Sequence, residues 1–471
     1  MFGFHKPIVL FAFLLVTMTL QATIIRVPAD QPTIQAAINS ASNGDTVVVN
    51  PGTYYENINF QGKKIVVTSL FYKSGDLNYI QSTILNGSRP IHPDTSSCVL
   101  IFKGEDSTAV FQGFTVTGGK GTKWKDEHSS GTYREGGGIL IAKSSAPIIR
   151  YNLIINNLAT NTQGVVSAGG GGIRAGDGNP KILNNVITTN QGRYGAAIVL
   201  NYCGATIKNN VITNNSGGQD YGGGAIWINS NGLKPKIIEN NTIFSNKVAG
   251  IYFYAGNSVI RNCVIWGNST SQIGGKTGGA TVTYSDVQGG ISGIGVINQD
   301  PILKDSTFYL QAGSPCIDAG DNSTVFNDVE NLHSPGNALL PSQGILRNDI
   351  GAYGGPGARS LLTFNSLLTG VNNINSNFPS KFRLEQNYPN PFNPTSTIKY
   401  SIPLLGVGNV VFVQLKIYDI IGREVVKLVN EEKSPGSYEV KFNASGLPSG
   451  VYFCNLRAGD FVQTKKMLLI K

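Results

Sequence analysis

The sequence has 471 residues, of which 41 % are apolar, only 14 % are charged and 58 are glycine. This composition, rich in turn formers and β-branched residues, favours an all-β protein, and its regular patterning excludes a disordered chain. The formal net charge is +9, but no dense basic run interleaves with aromatic residues, so we expect acidic surfaces or glycans as partners and no nucleic acid.

The first 22 residues have the pattern of a secretory signal peptide. Lys6 precedes an apolar stretch at 8–16 that is short for a bilayer span, and Ala22 is a small residue at the expected cleavage point. We therefore predict an exported protein without a transmembrane segment in its mature form. Its five cysteines have no metal-binding spacing, so we expect buried thiols, with oxidation of one pair left open.

Residues 30–45 predict an amphipathic helix. A proline lies near its start, a glycine follows its end, and one face carries the apolar residues Ile34, Ala37, Ile38 and Ala41. Strand-forming sequence begins directly afterwards, at 46–69. We expect the helix to cover the open end of the structure that these strands begin.

An asparagine-rich motif, I-x-x-N-x-I-x-x-N, recurs through the middle of the chain. Successive copies begin 33, 25, 31 and 22 residues apart, at Ile149, Ile182, Ile207, Ile238 and Ile260. A minimum spacing near 22 residues with variable insertions is typical of a solenoid coil. Each copy follows a glycine-rich strand, so one coil contains three short strands, which predicts a parallel β-helix.

The asparagines of the motif have a structural explanation. A sharp bend commonly needs a left-handed backbone, which asparagine tolerates, and a buried amide must find hydrogen-bond partners. Identical amides on coils about 4.8 Å apart can bond to one another along the stack. We therefore predict a structural ladder made of Asn152, Asn185, Asn210 and Asn241.

The stretch "PTIQAAINSASNGDTVVVNPGTYYENI" and the "NNVITNN" coils resemble the pectate-lyase-like right-handed parallel β-helix superfamily, over about 24–300. The resemblance implies one β-helix domain over 23–358, which includes a tail that often closes such helices. That tail begins at "DPILKDSTFYLQAGSPCIDAGD". Related proteins usually carry an acidic residue after the "GAY" of the tail, where this chain has Gly354.

Four acidic residues of the tail could still form a calcium site, or could simply accept hydrogen bonds from turn amides. They are Asp318, Asp321, Asp328 and Asp349. No other cofactor is expected, because the histidines are too dispersed to bind zinc.

Residues 359–381 are polar and predict a linker, and 382–471 predict a second domain. About seven short alternating strands in this domain predict an immunoglobulin-like β-sandwich. The domain resembles the type A C-terminal sorting domain of the type IX secretion system. The residues that carry the resemblance include Asn387, Pro389, Asn390, Pro391, Gly450, Tyr452, Lys465 and Lys466.

The second resemblance implies an export signal that is read at the outer membrane. We therefore expect the type IX secretion machinery as a partner. The expected location is outside a Gram-negative cell or on its outer surface, reached through the periplasm.

The glycine-rich strands are the predicted ligand-binding face. Isoleucines 139, 173, 198, 226 and 251 should point inward, so the residues beside them should point out. Outward aromatic rings can stack on sugars, and amide or guanidinium groups can hold hydroxyls. The candidate ligand-binding residues are Arg174, Asn201, Trp227, Asn229, Tyr252 and Tyr254. Packing of these side chains under a loop is the alternative.

The loop at 120–137 and shorter insertions before later strands hold most of the polar residues over this face. Candidate catalytic residues are Asp126, Glu127, Arg134 and Asp220. No acidic pair recurs on adjacent coils, although a hydrolase would need one. We therefore predict a monomeric protein that binds extracellular polysaccharide. The alternatives are a lyase or hydrolase acting on acidic glycans, and a non-catalytic structural surface protein.

Overall fold

The computed structural model describes residues 22–128, 131–230, 234, 236–304, 307–361, 381–403, 411–433, 436–459 and 461–471. These residues form a parallel β-helix and a C-terminal β-sandwich. The predicted signal peptide, except Ala22, and most of the predicted linker lie outside the described residues. In the described part of the chain, no helix is long and apolar enough to cross a membrane.

Three long sheets of parallel strands form the sides of the β-helix, which confirms the predicted all-β class. Sheet 1 contains Ile24–Val27, Thr46–Val49, Val66–Ser69, Val110–Gln112, Ile148–Arg150, Lys181–Leu183, Ala205–Lys208, Lys236–Glu239, Ser258–Arg261 and Ala280–Thr283. Sheet 2 contains Gly52–Tyr54, Thr83–Asn86, Thr115–Thr117, Leu153–Ile155, Val186–Thr188, Val211–Thr213, Thr242–Phe244, Val264–Trp266 and Asp286–Val287. Sheet 3 contains Ile58–Asn59, Val99–Ile101, Ile139–Ile141, Ile173–Gly176, Ile198–Asn201, Gly224–Asn229, Ala249–Phe253 and Ile273–Gly275. A smaller parallel sheet contains Leu158–Ala159, Gln191–Gly192 and Ser216–Gly217.

Columns of isoleucine fill the interior of the β-helix. In sheet 1 the column follows the register of the repeat and contains Ile149, Ile182, Ile207, Ile238 and Ile260. In sheet 3 the inward column contains Ile139, Ile173, Ile198, Ile226 and Ile251, as predicted. All of these side chains are fully buried in one core, and each contributes about 2 kcal/mol of burial free energy.

Glycine tracts allow the coils to approach closely at the start of the sheet 3 strands. A Cβ atom on Gly137 would lie 2.3 Å from the carbonyl oxygen of Gly171. A Cβ atom on Gly171 would likewise lie 2.3 Å from the carbonyl oxygen of Gln191. Backbone oxygens cannot move away without breaking the stack, so these positions require glycine.

The predicted asparagine ladder is present. Nδ2 of Asn152 donates to Oδ1 of Asn185 over 3.1 Å. The next two steps, from Asn185 to Asn210 and from Asn210 to Asn241, are both 3.0 Å. The ladder ends at Cys263, whose Sγ lies 3.9 Å from Nδ2 of Asn241. Cys263 is a buried free thiol, as are the other cysteines of the chain, all of which lie within the described residues.

A second ladder runs parallel to the first and was not predicted. It uses the last asparagine of each motif, with Nδ2–Oδ1 distances of 2.9–3.1 Å through Asn157, Asn190, Asn215, Asn246 and Asn268. Both ladders are buried. Each amide also donates to main-chain carbonyls, so the bends have their polar groups satisfied inside the stack.

The left-handed backbone of each bend does not lie at the ladder asparagine. It lies one residue earlier, at Asn184 (φ 53°), Asn209 (φ 55°) and Asn240 (φ 50°). The interpretation that one asparagine both makes the bend and forms the ladder is therefore wrong. The two tasks fall to adjacent residues, which explains why many copies of the motif contain Asn-Asn.

The predicted N-terminal helix is present but shorter than expected. It spans Ile34–Ser40 rather than 30–45, and Thr33 caps it by accepting the N–H of Ala36 at 3.1 Å. Glu56 accepts two other N–H groups of the first turn, those of Ile34 at 3.0 Å and Gln35 at 2.9 Å. The apolar face packs into the β-helix core. In the described part of the chain, the other helices are Phe71–Ser74 and Asn78–Ser82, and the 3-10 turns are Thr277–Gly279 and Thr324–Phe326.

The tail does more than close the end of the β-helix. After Ile297 bridges to Asp286 of the last coil, the chain runs back along the outer face of sheet 2. There Phe308, Tyr353 and Leu361 pack against residues of three successive coils, Leu153, Val186 and Val211. The tail therefore buries an outward apolar row of sheet 2.

The left-handed asparagines fasten the tail to the coils. Nδ2 of Asn240 donates to the carbonyl oxygen of Asp349 at 3.0 Å. Nδ2 of Asn209 donates to that of Gly354 at 2.8 Å, and Nδ2 of Asn184 to that of Gly357 at 3.0 Å. Each coil in this region thus contributes one amide to the tail.

The four tail aspartates accept hydrogen bonds from main-chain amides, as the second interpretation expected. Asp318 accepts the N–H of Ile345 at 2.9 Å, and Asp349 accepts that of Asp318 at 2.8 Å. Asp328 accepts the N–H of Asp349 at 3.2 Å, and Asp321 accepts that of Ser323 at 3.0 Å. Among the residues that the structure describes, no group of three or more His, Cys, Asp or Glu is placed to hold a metal ion. The contacts therefore give no support to a calcium site.

The C-terminal domain is a sandwich of two antiparallel sheets. One sheet contains Arg383–Leu384, Thr395–Ile402 and Gly436–Asn443. The other contains Val411–Tyr418, Glu424–Lys433, Gly450–Ala458 and Phe461–Leu469. Their inner faces enclose a separate hydrophobic core, as expected for alternating strands.

The predicted sorting residues join the start of this domain to its last strand. Asn390 accepts the N–H of Leu468 at 2.8 Å and donates to the carbonyl oxygen of Lys466 at 3.3 Å. Asn387 is buried and donates to Oγ of Ser396 at 2.8 Å. The hydroxyl of Tyr452 donates to a main-chain carbonyl, that of Pro448, at 2.8 Å. Pro389, Pro391, Gly450 and Lys465 lie on the same connected segments.

Candidate functional site

A hairpin covers part of the outer face of sheet 3. Its strands, Gly121–Lys125 and Thr132–Glu135, pair antiparallel and join Thr95–Ser96 and Ala168–Gly169 in a small sheet. The predicted outward row lies beneath it in register, namely Leu140, Arg174, Val199, Trp227 and Tyr252. Leu140, Arg174 and Val199 are fully buried outside the main core. The predicted direction is correct, but these three side chains pack under loops.

Arg174 anchors the hairpin and does not face solvent. Its Nη2 lies 2.7 Å from Oε2 of Glu127. Its Nε lies 2.9 Å from Oε2 of Glu135, as an ion pair without hydrogen-bond alignment. Tyr194 donates its hydroxyl to Glu135 at 2.6 Å. The prediction that Arg174 contacts a ligand is therefore wrong, because its guanidinium is used inside the protein.

The pKa shifts of this cluster have two opposing causes. Burial raises the pKa of Glu135 above its usual value, although the charge of Arg174 counteracts it. Burial also acts to raise the pKa of Glu127, but Arg174 outweighs it and the net pKa is lowered. Burial acts to lower the pKa of Arg174, whereas the two carboxylates raise it overall. The guanidinium is thus a permanent internal cation.

An open cleft lies beside this cluster. Aromatic side chains form much of its lining, and we call five of them the aromatic cluster: Tyr133, Tyr194, Tyr221, Trp227 and Tyr254. The Trp227 ring lies 4.9 Å from that of Tyr194 and 5.4 Å from that of Tyr254. Trp227 is only 5 % exposed, whereas Tyr221 is 39 % and Tyr254 42 % exposed. Trp227 therefore forms the floor, and the two tyrosines present the accessible rings.

A chain of hydrogen-bonded polar groups also lines the cleft. Nδ2 of Asn229 donates to Oδ1 of Asn201 at 3.0 Å, and Nδ2 of Asn201 donates to Oδ2 of Asp126 at 2.8 Å. The other Asp126 oxygen accepts the main-chain N–H of His128 at 2.7 Å. We call Asp126, Asn201 and Asn229 the polar wall.

His128, at the edge of the cleft, is held in place by two contacts. Its Nε2 lies 2.5 Å from Oδ1 of Asp177, and its ring stacks on Tyr202 with centroids 3.9 Å apart. Both rings line the cleft. The hairpin end that carries Asp126 is therefore fastened to the next coils by His128 as well as by Glu127.

The structure separates the four candidate catalytic residues. Asp126 lines the cleft, whereas Glu127 is paired with Arg174. Arg134 is buried on another side of the hairpin, where it donates to the carbonyl oxygen of Gly121 at 2.8 Å. Asp220 is bound by Arg193 at 2.6 Å, and that hydrogen bond lowers the pKa of Asp220. The structure therefore does not bring the four candidate catalytic residues together in one site.

The six candidate ligand-binding residues are brought together only in part. Trp227, Tyr254, Asn201 and Asn229 line the cleft, but Arg174 and Tyr252 do not. Tyr252 instead packs in the apolar cluster of Trp227 and Val199. Sequence reasoning placed the loops that carry His128, Tyr133, Tyr194 and Tyr221 over this face but assigned these four residues no role, and it missed Tyr202. The loop insertions themselves were the available signal, because they all precede or follow the same row of strands.

The fold defines a class of protein, a right-handed β-helix with an aromatic cleft on one face and a separate C-terminal sandwich. Comparison with known families agrees for both parts. Residues 70–236 match the family described as right handed beta helix region, and residues 386–471 match the secretion system C-terminal sorting domain. A search of curated proteins finds no match. The sorting domain indicates secretion, or an outer-surface location, through the type IX system.

Proposed function

We propose that this secreted or surface protein binds extracellular polysaccharide in the cleft formed by the aromatic cluster and the polar wall. The observation that carries the proposal is that two accessible tyrosine rings, Tyr221 and Tyr254, line the same cleft as the hydrogen-bonded polar wall. The sorting domain supports this proposal, because a protein that is secreted or held on the outer surface is exposed to extracellular glycans.

The aromatic and polar parts of the lining suit the two kinds of surface on a sugar. A pyranose ring has an apolar face, which packs on aromatic rings, and an edge of hydroxyl groups, which needs donors and acceptors. The Tyr221 and Tyr254 rings lie 5.9 Å apart at 80° and offer such a surface. Asp126 and the two asparagines offer polar atoms fixed in place by their mutual hydrogen bonds.

A lyase or hydrolase has less support than a binding protein. A hydrolase requires two carboxyl groups that flank one bond. Among the described residues that line the cleft, Asp126 is the single carboxylate. Glu127, the other acidic candidate of the hairpin, is held by Arg174 and by the indole N–H of Trp124 at 3.0 Å.

Affinity electrophoresis through gels containing soluble polysaccharides tests the proposal. The purified protein should be retarded by at least one glycan. Tyr254→Ala should lose most of that retardation, because one stacking contact of about 1.4 kcal/mol corresponds to tenfold in affinity. Tyr55→Ala is the matched control, since Tyr55 is similarly exposed (46 %) but lies outside the cleft.

Two results would contradict the proposal. One is absence of retardation by every glycan in a broad panel of neutral, acidic and basic polysaccharides. The other is equal retardation of the wild type and Tyr254→Ala, with thermal unfolding showing that both are folded. Loss of retardation in Tyr55→Ala would indicate a surface elsewhere on the β-helix.

A further inference from the structure

The charges around the cleft point to the class of glycan. We propose that the cleft selects an amino sugar whose amine is protonated, so that an ammonium group lies between the aromatic cluster and Asp126. This inference rests on the proposed function and adds the ligand class to it.

Asp126 gives the lining of the cleft a negative charge. Among the described residues that line it, Asp126 is a carboxylate, none is a lysine or arginine, and His128 is paired with Asp177. The nearest buried cation, Arg174, is already shared by two glutamates. Arg193 is likewise paired with Asp220. A uronate would therefore meet Asp126 without a positive partner, whereas an ammonium group would find one negative charge to pair with.

The aromatic cluster favours the same ligand. Aromatic faces carry negative electrostatic potential, and a cation over such a face gains about 0.5–1 kcal/mol even when exposed. The rings of the cluster meet at large angles, 80° for Tyr221 with Tyr254 and 60° for Tyr194 with Trp227, so their faces point in different directions around the cleft. One ammonium group can thus approach more than one ring.

The chain itself supplies an ammonium group at one of these rings. Nζ of Lys276 lies 5.6 Å from the centroid of the Tyr254 ring. Lys276 is exposed and is not a lining residue of the cleft. A cation of the chain therefore already lies beside one ring of the aromatic cluster, although it is outside the lining of the cleft.

The polar wall also offers acceptors more readily than donors. Asn201 and Asn229 each donate one amide N–H to the next residue of the polar wall. Carboxylate and amide oxygens of the polar wall can accept further hydrogen bonds, and an ammonium group supplies three N–H donors to such oxygens. A neutral hydroxyl supplies only one donor, so the amine should bind more tightly.

Isothermal titration at pH 5.5 with three hexamers that share a β-1,4-linked backbone tests this inference. The ligands are the hexamers of glucosamine, N-acetylglucosamine and glucose. The glucosamine hexamer should bind at least tenfold more tightly than the other two, and added salt should reduce the difference. Asp126→Asn should bring the three affinities together, and Tyr55→Ala should leave the ranking unchanged.

The outcomes separate the inference from the proposed function. Equal binding of the three hexamers, or tighter binding of the N-acetylglucosamine or glucose hexamer, would overturn selection of the amine and leave glycan binding intact. Failure of every oligosaccharide and polysaccharide to bind would overturn both. The wild-type ranking needs no variant, so it decides the question even if Asp126→Asn fails to fold.

Discussion

Replacement of Asn210 by alanine tests whether the first asparagine ladder holds the β-helix together. Asn210 is fully buried, and its Nδ2 donates to Ile182 O at 2.8 Å, Lys208 O at 3.0 Å and Asn241 Oδ1 at 3.0 Å. Its Oδ1 accepts the main-chain N–H of Asn185 at 2.9 Å. Alanine would leave that N–H without its acceptor and remove a donor from two buried oxygens. Each buried group left unsatisfied costs about 1–3 kcal/mol, so we expect a loss of about 3 kcal/mol in the free energy of unfolding.

Urea unfolding followed by far-ultraviolet circular dichroism measures this loss. Asn161→Ala is the control, since Asn161 lies exposed in a loop and its replacement should change stability by less than about 0.5 kcal/mol. Asn210→Asp separates hydrogen bonding from cavity effects. The carboxylate keeps the acceptor for Asn185 but places a charged oxygen against Oδ1 of Asn241, so this variant should be less stable at pH 7 than at pH 4. A loss below 1 kcal/mol for Asn210→Ala would refute the structural role of the ladder.

Three further predictions concern buried groups elsewhere. Cys263→Asn should raise the free energy of unfolding by about 1 kcal/mol, because the thiol now occupies the acceptor position for the Asn241 N–H at 3.5 Å and an amide would extend the ladder. A lowered thermal midpoint would contradict this. Arg174→Leu should destabilise the hairpin by about 3–5 kcal/mol, because it leaves Glu135 buried without a cation, and limited proteolysis of the hairpin should become faster. Unchanged cleavage would argue against the anchor. Burial raises the pKa of Asp328 to about 8 and that of Asp349 to about 7, so the protonated forms favour the folded tail. Their stabilising effect is complete at low pH and is lost as pH rises through 7–8, so thermal unfolding should occur at higher temperature at pH 5 than at pH 9, and Asp328→Asn should reduce the difference.

The β-helix could be predicted from the sequence because its contacts repeat. Ile182 and Ile207 stack because they occupy the same position in adjacent coils, and the pairing register shows this directly. The same logic predicted the step from Asn185 to Asn210. Position within a coil therefore determines both the core and the ladder, and both can be read from one chain without any tertiary information.

The cleft could be predicted only in part because loops determine what covers each strand. Strand alternation correctly directed Arg174 and Trp227 away from the core. It could not indicate that Glu127 and Glu135, from a hairpin of irregular length, would enclose the guanidinium. The stacking of His128 on Tyr202 likewise joins a loop to a turn two coils away, and no period in the sequence relates them.

The amides of Asn184, Asn209 and Asn240 that reach the tail have a consequence for how the number of coils can change. Each of them matches a particular carbonyl between Asp349 and Gly357. Duplicating or deleting one coil would move the later asparagine amides away from their carbonyl partners in the tail. The tail would then be too short or too long for the row of coils along which it runs. The repeat can therefore vary freely in its loops, but its copy number is coupled to a segment more than a hundred residues downstream.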